Sequence, residues 1–90
     1  MMEIEFIPNL EHCVQTLARQ EYDRIMRLLL ESDEAYSALG DRLELLKSFL
    51  ENTDFNKIRS EYEPYLVEGK TIIFRLKPGK DGAEYNWETA

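Results

Sequence analysis

The sequence predicts a small two-layer α+β domain, with three helices packed on a three-stranded sheet in the order β-α-α-α-β-β and a C-terminal β-hairpin. Both ends of the chain alternate apolar and charged residues, which is typical of half-buried strands. The middle instead repeats apolar residues every three or four positions, as amphipathic helices do. A chain of 90 residues with 43% apolar content fits one domain over residues 1–90.

The strands are predicted at residues 3–6, 71–77 and 83–88. Their outward charges are acidic in the first and third strands and basic in the second. These outward residues are Glu3, Glu5, Arg75, Lys77, Glu84 and Glu88. Opposite charges on neighbouring strands favour pairing, so the 71–77 strand is predicted to lie in the middle. The direction of the first strand stays open, because three helices separate it from the second. The residues predicted to face the helices are Ile4, Phe6, Ile72, Phe74, Leu76, Tyr85 and Trp87.

The three helices are predicted from apolar spacing and from their end signals. Asn9 is the predicted N-cap of the first helix, which Ser32 interrupts. The second helix runs on to residue 52, and Gly40 within it allows a bend. Thr53 is the predicted N-cap of the third helix. Residues 63–69 fit a last helical turn ended by Gly69 or a short strand, and the helical turn is favoured.

Two helices carry more apolar residues than one core needs. The surplus sets are Ile25, Met26, Leu28, Leu29 and Leu30, and then Leu43, Leu45, Leu46, Phe49 and Leu50. At 100° per residue they span roughly 200° and roughly 160° of the helix circumference, against about 100° for a single buried stripe. This predicts a second apolar surface for self-association or for a partner. The alternative is that the other helices and the sheet enclose both sets.

The net charge of −7 is unevenly distributed. Residues 31–68 hold ten acidic and four basic side chains, whereas residues 70–80 hold four basic side chains and no acidic one. An acidic body repels phosphate, so nucleic-acid binding is not expected in general. The basic hairpin at 70–80 leaves weak nucleic-acid contact as one alternative.

The residue patterns that carry catalysis or metal binding are weak in this chain. His12 and Cys13 are adjacent, so on a helix they point about 100° apart and cannot act as base and nucleophile. The segment from Asp54 begins like a calcium loop, but Arg59 stands where that loop requires glycine. We therefore predict no catalytic residue, no metal site and no cofactor.

The predicted function is a non-enzymatic interaction or regulatory module that binds a partner protein, basic in character, through an acidic and apolar helical surface. A narrower version is an inhibitor that imitates nucleic acid. The partner-binding residues are predicted to be Glu31, Asp33, Glu34, Asp41, Glu44, Leu45, Phe49 and Glu51. The alternative is a small enzyme or enzyme subunit with its site in a helix–sheet or dimer cleft. With no long apolar run and one cysteine, the chain is expected to be cytoplasmic, and a homo-oligomer fits the apolar surplus.

Overall fold

A computed structural model describes residues 3–31, 37–80 and 82–90. The elements follow one another as strand β1 (Ile4–Phe6), helices α1 (Val14–Glu31), α2 (Ser37–Asn52) and α3 (Phe55–Val67), and strands β2 (Ile72–Gly79) and β3 (Gly82–Thr89). The predicted α+β class and the order β-α-α-α-β-β with a C-terminal hairpin are therefore confirmed.

The sheet has the order β1-β2-β3, and both neighbouring pairs are antiparallel. The middle position predicted for the second strand is confirmed, and the direction of β1 is now defined. Glu5 lies opposite Arg75, and Lys77 lies opposite Glu84, so acidic strands flank the basic one. Opposite charges meet across both pairings, as the pairing argument requires.

The hydrogen-bond alternation explains how β2 accommodates Pro78. The N–H of Ala90 donates to the carbonyl of Thr71 at 2.9 Å, so the odd-numbered residues of β2 exchange hydrogen bonds with β3. The missing N–H of Pro78 therefore points toward the β1 side. The register of Ile4 with Leu76 places Pro78 past Ile4, the first residue of β1, as expected for proline near the end of a strand pairing.

The core lies between the sheet and the helices. Five strand residues that were predicted to face inward are buried there: Ile4, Phe6, Ile72, Phe74 and Leu76. Tyr85 and Trp87 share this face on β3 but are less covered, because β3 is at the edge of the sheet. Tyr85 is 42% exposed and Trp87 is half-buried.

Helix α1 begins later than predicted. The carbonyl oxygen of the Asn9 side chain accepts hydrogen bonds from the N–H groups of Glu11 and His12, each at 2.8 Å, and closes a turn ahead of the helix. The first helical N–H, that of Val14, donates instead to the Tyr62 hydroxyl at 3.2 Å. Burial raises the pKa of Tyr62 above its ordinary value. A residue 48 positions away thus satisfies the N–H at the start of α1.

Helix α3 is capped at both ends by local contacts. Asp54, and not the predicted Thr53, is the N-cap, and its carboxylate accepts from the Lys57 N–H at 3.1 Å. At the other end Gly69 has φ +87°, and its N–H donates to the Leu66 carbonyl. The N–H of Lys70 donates to the Tyr65 carbonyl, which completes a Schellman motif. The helical interpretation of residues 63–69 is confirmed.

Candidate interaction surfaces

The outer side of α2 carries three exposed acids, Asp41, Glu44 and Glu51. Their spacing places them within about 80° of the helix circumference and along about 15 Å of its axis. We call these three residues the acidic face. They lie on the side of α2 away from the fully buried Leu46, although the nearly buried Leu45 is only about 40° around the helix from Asp41.

Within the described residues, none of the three carboxylates of the acidic face has an ion-pair partner within 4 Å, although other acids of the chain do. Lys47 is exposed between Glu44 and Glu51 and makes no such pair with either of them. In the described part of the chain, no direct ion pair therefore holds the carboxylates of this face. Their negative charge remains available to attract a cationic surface.

The remaining predicted partner-binding acids have different positions. Glu31 is exposed at the last residue of α1. Asp33 and Glu34 lie outside the described residues. The sequence-predicted acidic surface therefore has four exposed members in the described part, Glu31, Asp41, Glu44 and Glu51, three of which share one helix.

Leu45 and Phe49 are not surface residues, which corrects their predicted role in apolar contact. Leu45 is 5% exposed and Phe49 is fully buried. The Phe49 ring lies 5.0 Å from that of Phe55 and 5.7 Å from that of Phe74. Both side chains belong to the core because α1 and the sheet cover α2, and Phe55 of α3 adds a contact with Phe49.

Apolar exposure occurs instead at the end of α1 and at one end of the sheet. Leu30 is 80% exposed and Leu28 is 39% exposed, in agreement with the apolar surplus predicted for α1. Ile7 and Leu10 are 55% and 58% exposed. Sequence reasoning missed this second pair, because it placed Leu10 on the inner stripe of a helix that begins only at Val14.

Ile7 and Leu10 border an open groove of about 580 Å³ at the end of the sheet. Leu66, from the end of α3, forms part of the opposite wall, and Lys70 lies in the turn that follows. The ammonium of Lys70 is 5.5 Å from the centre of the Tyr65 ring and 3.5 Å from a Glu68 carboxylate oxygen. The groove is thus lined by both apolar and polar residues, and its cation, Lys70, already has partners.

The outer face of the sheet is charged but internally paired. The guanidinium of Arg75 is 2.8 Å from Glu88, 3.7 Å from Glu5 and 3.8 Å from Glu3. The hydrogen bond to Glu88 is the main cause that raises the pKa of Arg75. One cation at the centre of the sheet therefore contacts acids from both flanking segments and offsets one of their three negative charges. Arg75 belongs to the basic segment 70–80 that was considered for nucleic-acid contact. Its positive charge is already engaged by these acids, which disfavours such contact.

Cys13 is half-buried just before α1, and its sulfur lies 3.4 Å from the Thr16 hydroxyl. Burial by itself raises the pKa of this thiol, but hydrogen bonds from Thr16 and Gln15 outweigh burial and lower the pKa. Across residues 3–31, 37–80 and 82–90, no three of His, Cys, Asp and Glu are grouped to hold a metal ion. No helix in the same ranges has the length and apolar character needed to cross a membrane.

A protein-family model matches residues 2–86, which is nearly the whole chain. The chain therefore belongs to that family. An uncharacterized protein of Archaeoglobus fulgidus is 38% identical over 50 residues, a match that covers 53% of this chain and 59% of that relative. The chain thus spans less than two thirds of the length of the curated relative it matches. No solved structure matches it.

Proposed function

We propose that the chain, as a member of this family, is a non-enzymatic interaction module that binds a basic partner protein through the acidic face of α2. The observation that carries this proposal is the grouping of Asp41, Glu44 and Glu51 on one side of α2, exposed and without an ion pair within 4 Å in the described residues. Other described acids, such as Glu61 and Glu84, also lack an ion pair within 4 Å, but the acids of the acidic face lie together on one side of α2. Like charges this close along one helix repel one another weakly. A cationic partner surface supplies the missing attraction.

The chemistry of the partner follows from the shape of this face. The face is convex, about 15 Å long and flanked by polar residues of α2. It suits a concave basic surface, including the groove of a protein that binds nucleic acid. The apolar contribution comes from exposed residues such as Leu28 and Leu30 on α1, and not from the buried Leu45 and Phe49.

The test compares two variants of equal charge. One replaces Asp41, Glu44 and Glu51 by Lys. The control also replaces three exposed acids by Lys, namely Glu11, Asp23 and Glu61, which lie away from α2. Each tagged chain is used to capture proteins from nuclease-treated lysate of the source organism, and the affinity of the captured partner is then measured by calorimetry.

We expect wild type and the control to retain a salt-released partner, and the α2 variant to bind it on the order of 100-fold more weakly. Equal loss in both variants would show that only total charge matters. Full retention by the α2 variant would place the binding site elsewhere. Either result overturns the proposal.

The narrower, nucleic-acid-imitating form has a separate test. A short DNA duplex added to the captured complex is expected to displace the chain, because both would occupy one basic groove. Failure of the duplex to compete would exclude the imitation and leave the interaction module intact.

A further inference from the structure

The outer edge of β3 presents unpaired backbone groups. The alternation set by Ala90 and Thr71 makes the even-numbered residues of β3 exchange hydrogen bonds with β2. The N–H and C=O groups of Ala83, Tyr85 and Trp87 therefore point away from the sheet. Outside the hairpin ladder, no backbone hydrogen bond in the described ranges reaches these three residues. Such an edge is a template for another strand.

The apolar face of the sheet also stops abruptly at this edge. The row formed by Ile4, Leu76 and Tyr85 crosses all three strands. Its first two members are buried, whereas Tyr85 is 42% exposed although its ring stacks on Phe74 at 5.3 Å. A strand added beside β3 would cover Tyr85 and extend the row.

We propose that β3 pairs antiparallel with β3 of a second copy of this chain, centred on Tyr85, and joins two sheets into one of six strands. In this register Tyr85 lies opposite the partner's Tyr85, and Asn86 lies opposite the partner's Glu84. The carboxylate of Glu84 has no ion pair within 4 Å in the described part of the chain, so it can accept from the Asn86 amide. Directly opposed residues point to the same side, so both helical layers lie on one face.

The charges of β3 favour this register over its neighbours. Pairing centred on Asn86 would place Glu84 opposite the partner's Glu88, twice, and opposed like charges destabilise a sheet. Pairing centred on Trp87 would set Asn86 against the partner's Glu88, which Arg75 already holds at 2.8 Å. The Tyr85-centred register avoids the first repulsion and uses the carboxylate that the monomer leaves unpaired.

The first measurement is the mass in solution by sedimentation equilibrium, at low and at high salt. We expect association to twice the mass of the 10.6 kDa chain. Because each chain carries a net charge of −7, the dimer is expected to tighten as salt rises. Binding through the acidic face of α2 is expected to weaken with salt instead, so failure of one proposal is distinguishable from failure of the other.

The decisive variant is Asn86→Glu. In the monomer Asn86 lies opposite Arg75, so a carboxylate there does not harm the fold. In the dimer it faces the partner's Glu84 twice, and we expect dimerisation roughly tenfold weaker or more. Asn56→Glu, at an exposed site on α3, makes the same charge change and is expected to leave the dimer almost intact. Thermal unfolding verifies that both variants fold.

Cysteine cross-linking tests the register. In a Cys13→Ser background, Tyr85→Cys places two sulfurs on an opposed pair with Cα atoms about 5.5 Å apart, which is within disulfide range. Asn86→Cys places them on a diagonal beyond that range. Cross-linking of the first variant alone is the expected result. Three results would overturn self-pairing: cross-linking of the Asn86→Cys variant alone, a dimer whose affinity is unchanged by Asn86→Glu, or a chain that stays monomeric at every salt concentration. The last result would leave the edge of β3 free to pair with a strand of a different protein.

Discussion

The outer face of the sheet and the outer face of α2 are both charged, but only the charges on the sheet form ion pairs within the described residues. On the sheet, Arg75 lies within 4 Å of three carboxylates contributed by both flanking segments. On α2, Asp41, Glu44 and Glu51 have no such partner in the described residues. The first set of charges stabilises the pairing of strands. The second set has no such contact to stabilise the monomer in the described residues.

The same contrast holds for two glycines. A Cβ on Gly82, at the start of β3, would lie 2.8 Å from the Ser48 oxygen, and the backbone there has φ +121°. A Cβ on Gly40 of α2 would meet nothing within 4 Å. The start of β3 is thus closely packed against Ser48 of α2, whereas α2 has open space at Gly40. Open surface with unpaired charge is where an external partner has most to gain.

The largest expected effect comes from Gly82→Ala. The positive φ is strained for a side chain, and the new methyl group must displace Ser48, so we expect the free energy of unfolding to fall by about 1–3 kcal/mol. Denaturant unfolding measures the change. Adding Ser48→Ala should recover the stability lost through the clash with the Ser48 oxygen, but not the stability lost through the strained backbone at position 82. A neutral Gly82→Ala would show that this side of the hairpin is not closely packed.

A smaller effect is expected for Arg75→Gln, which leaves three carboxylates close together without their cation. We expect the melting temperature to drop by a few degrees at low salt and by less at high salt, because salt screens the repulsion. Lys80→Gln makes the same charge change at the exposed hairpin turn and serves as control. Equal changes in melting temperature for the two variants would show that the contacts of Arg75 stabilise the fold no more than an exposed lysine does.

The smallest expected effect is a gain of stability from Gly40→Ala. The helix is continuous through this residue, and the added methyl group has free space. We expect the free energy of unfolding to rise by about 0.5–1 kcal/mol, since alanine loses less backbone entropy than glycine in a helix. Thermal unfolding measures the gain. A loss of stability would show that a surface packs against α2 at this position.

Much of the fold could be predicted from residue patterns, because those patterns follow local geometry. The alternation around Ile72, Phe74 and Leu76 identified the buried face of β2, and the charges of Arg75 and Glu5 indicated which strands are neighbours. The cap at Gly69 was likewise readable, because a helix ending with positive φ favours glycine.

The candidate sites were only partly predictable, because exposure depends on what the rest of the chain covers. The acids at positions 41, 44 and 51 were identified correctly as exposed, since few folds bury an unpaired carboxylate. Leu45 and Phe49 were assigned to the surface, yet the sheet encloses them. The exposed Leu10 was missed, because it was placed on a helix that begins only at Val14, after the turn closed by Asn9.

The sequence by itself determined the fold class, the middle position of β2 and the acidic character of the helical layer. Each of these follows from the spacing of apolar residues along the chain or from the signs of the charges that its segments carry. Only the tertiary structure decided the antiparallel direction of β1, the core position of Phe49 and the free edge at Tyr85. These depend on contacts between distant segments, where burial is set by the surfaces that meet and not by the local pattern.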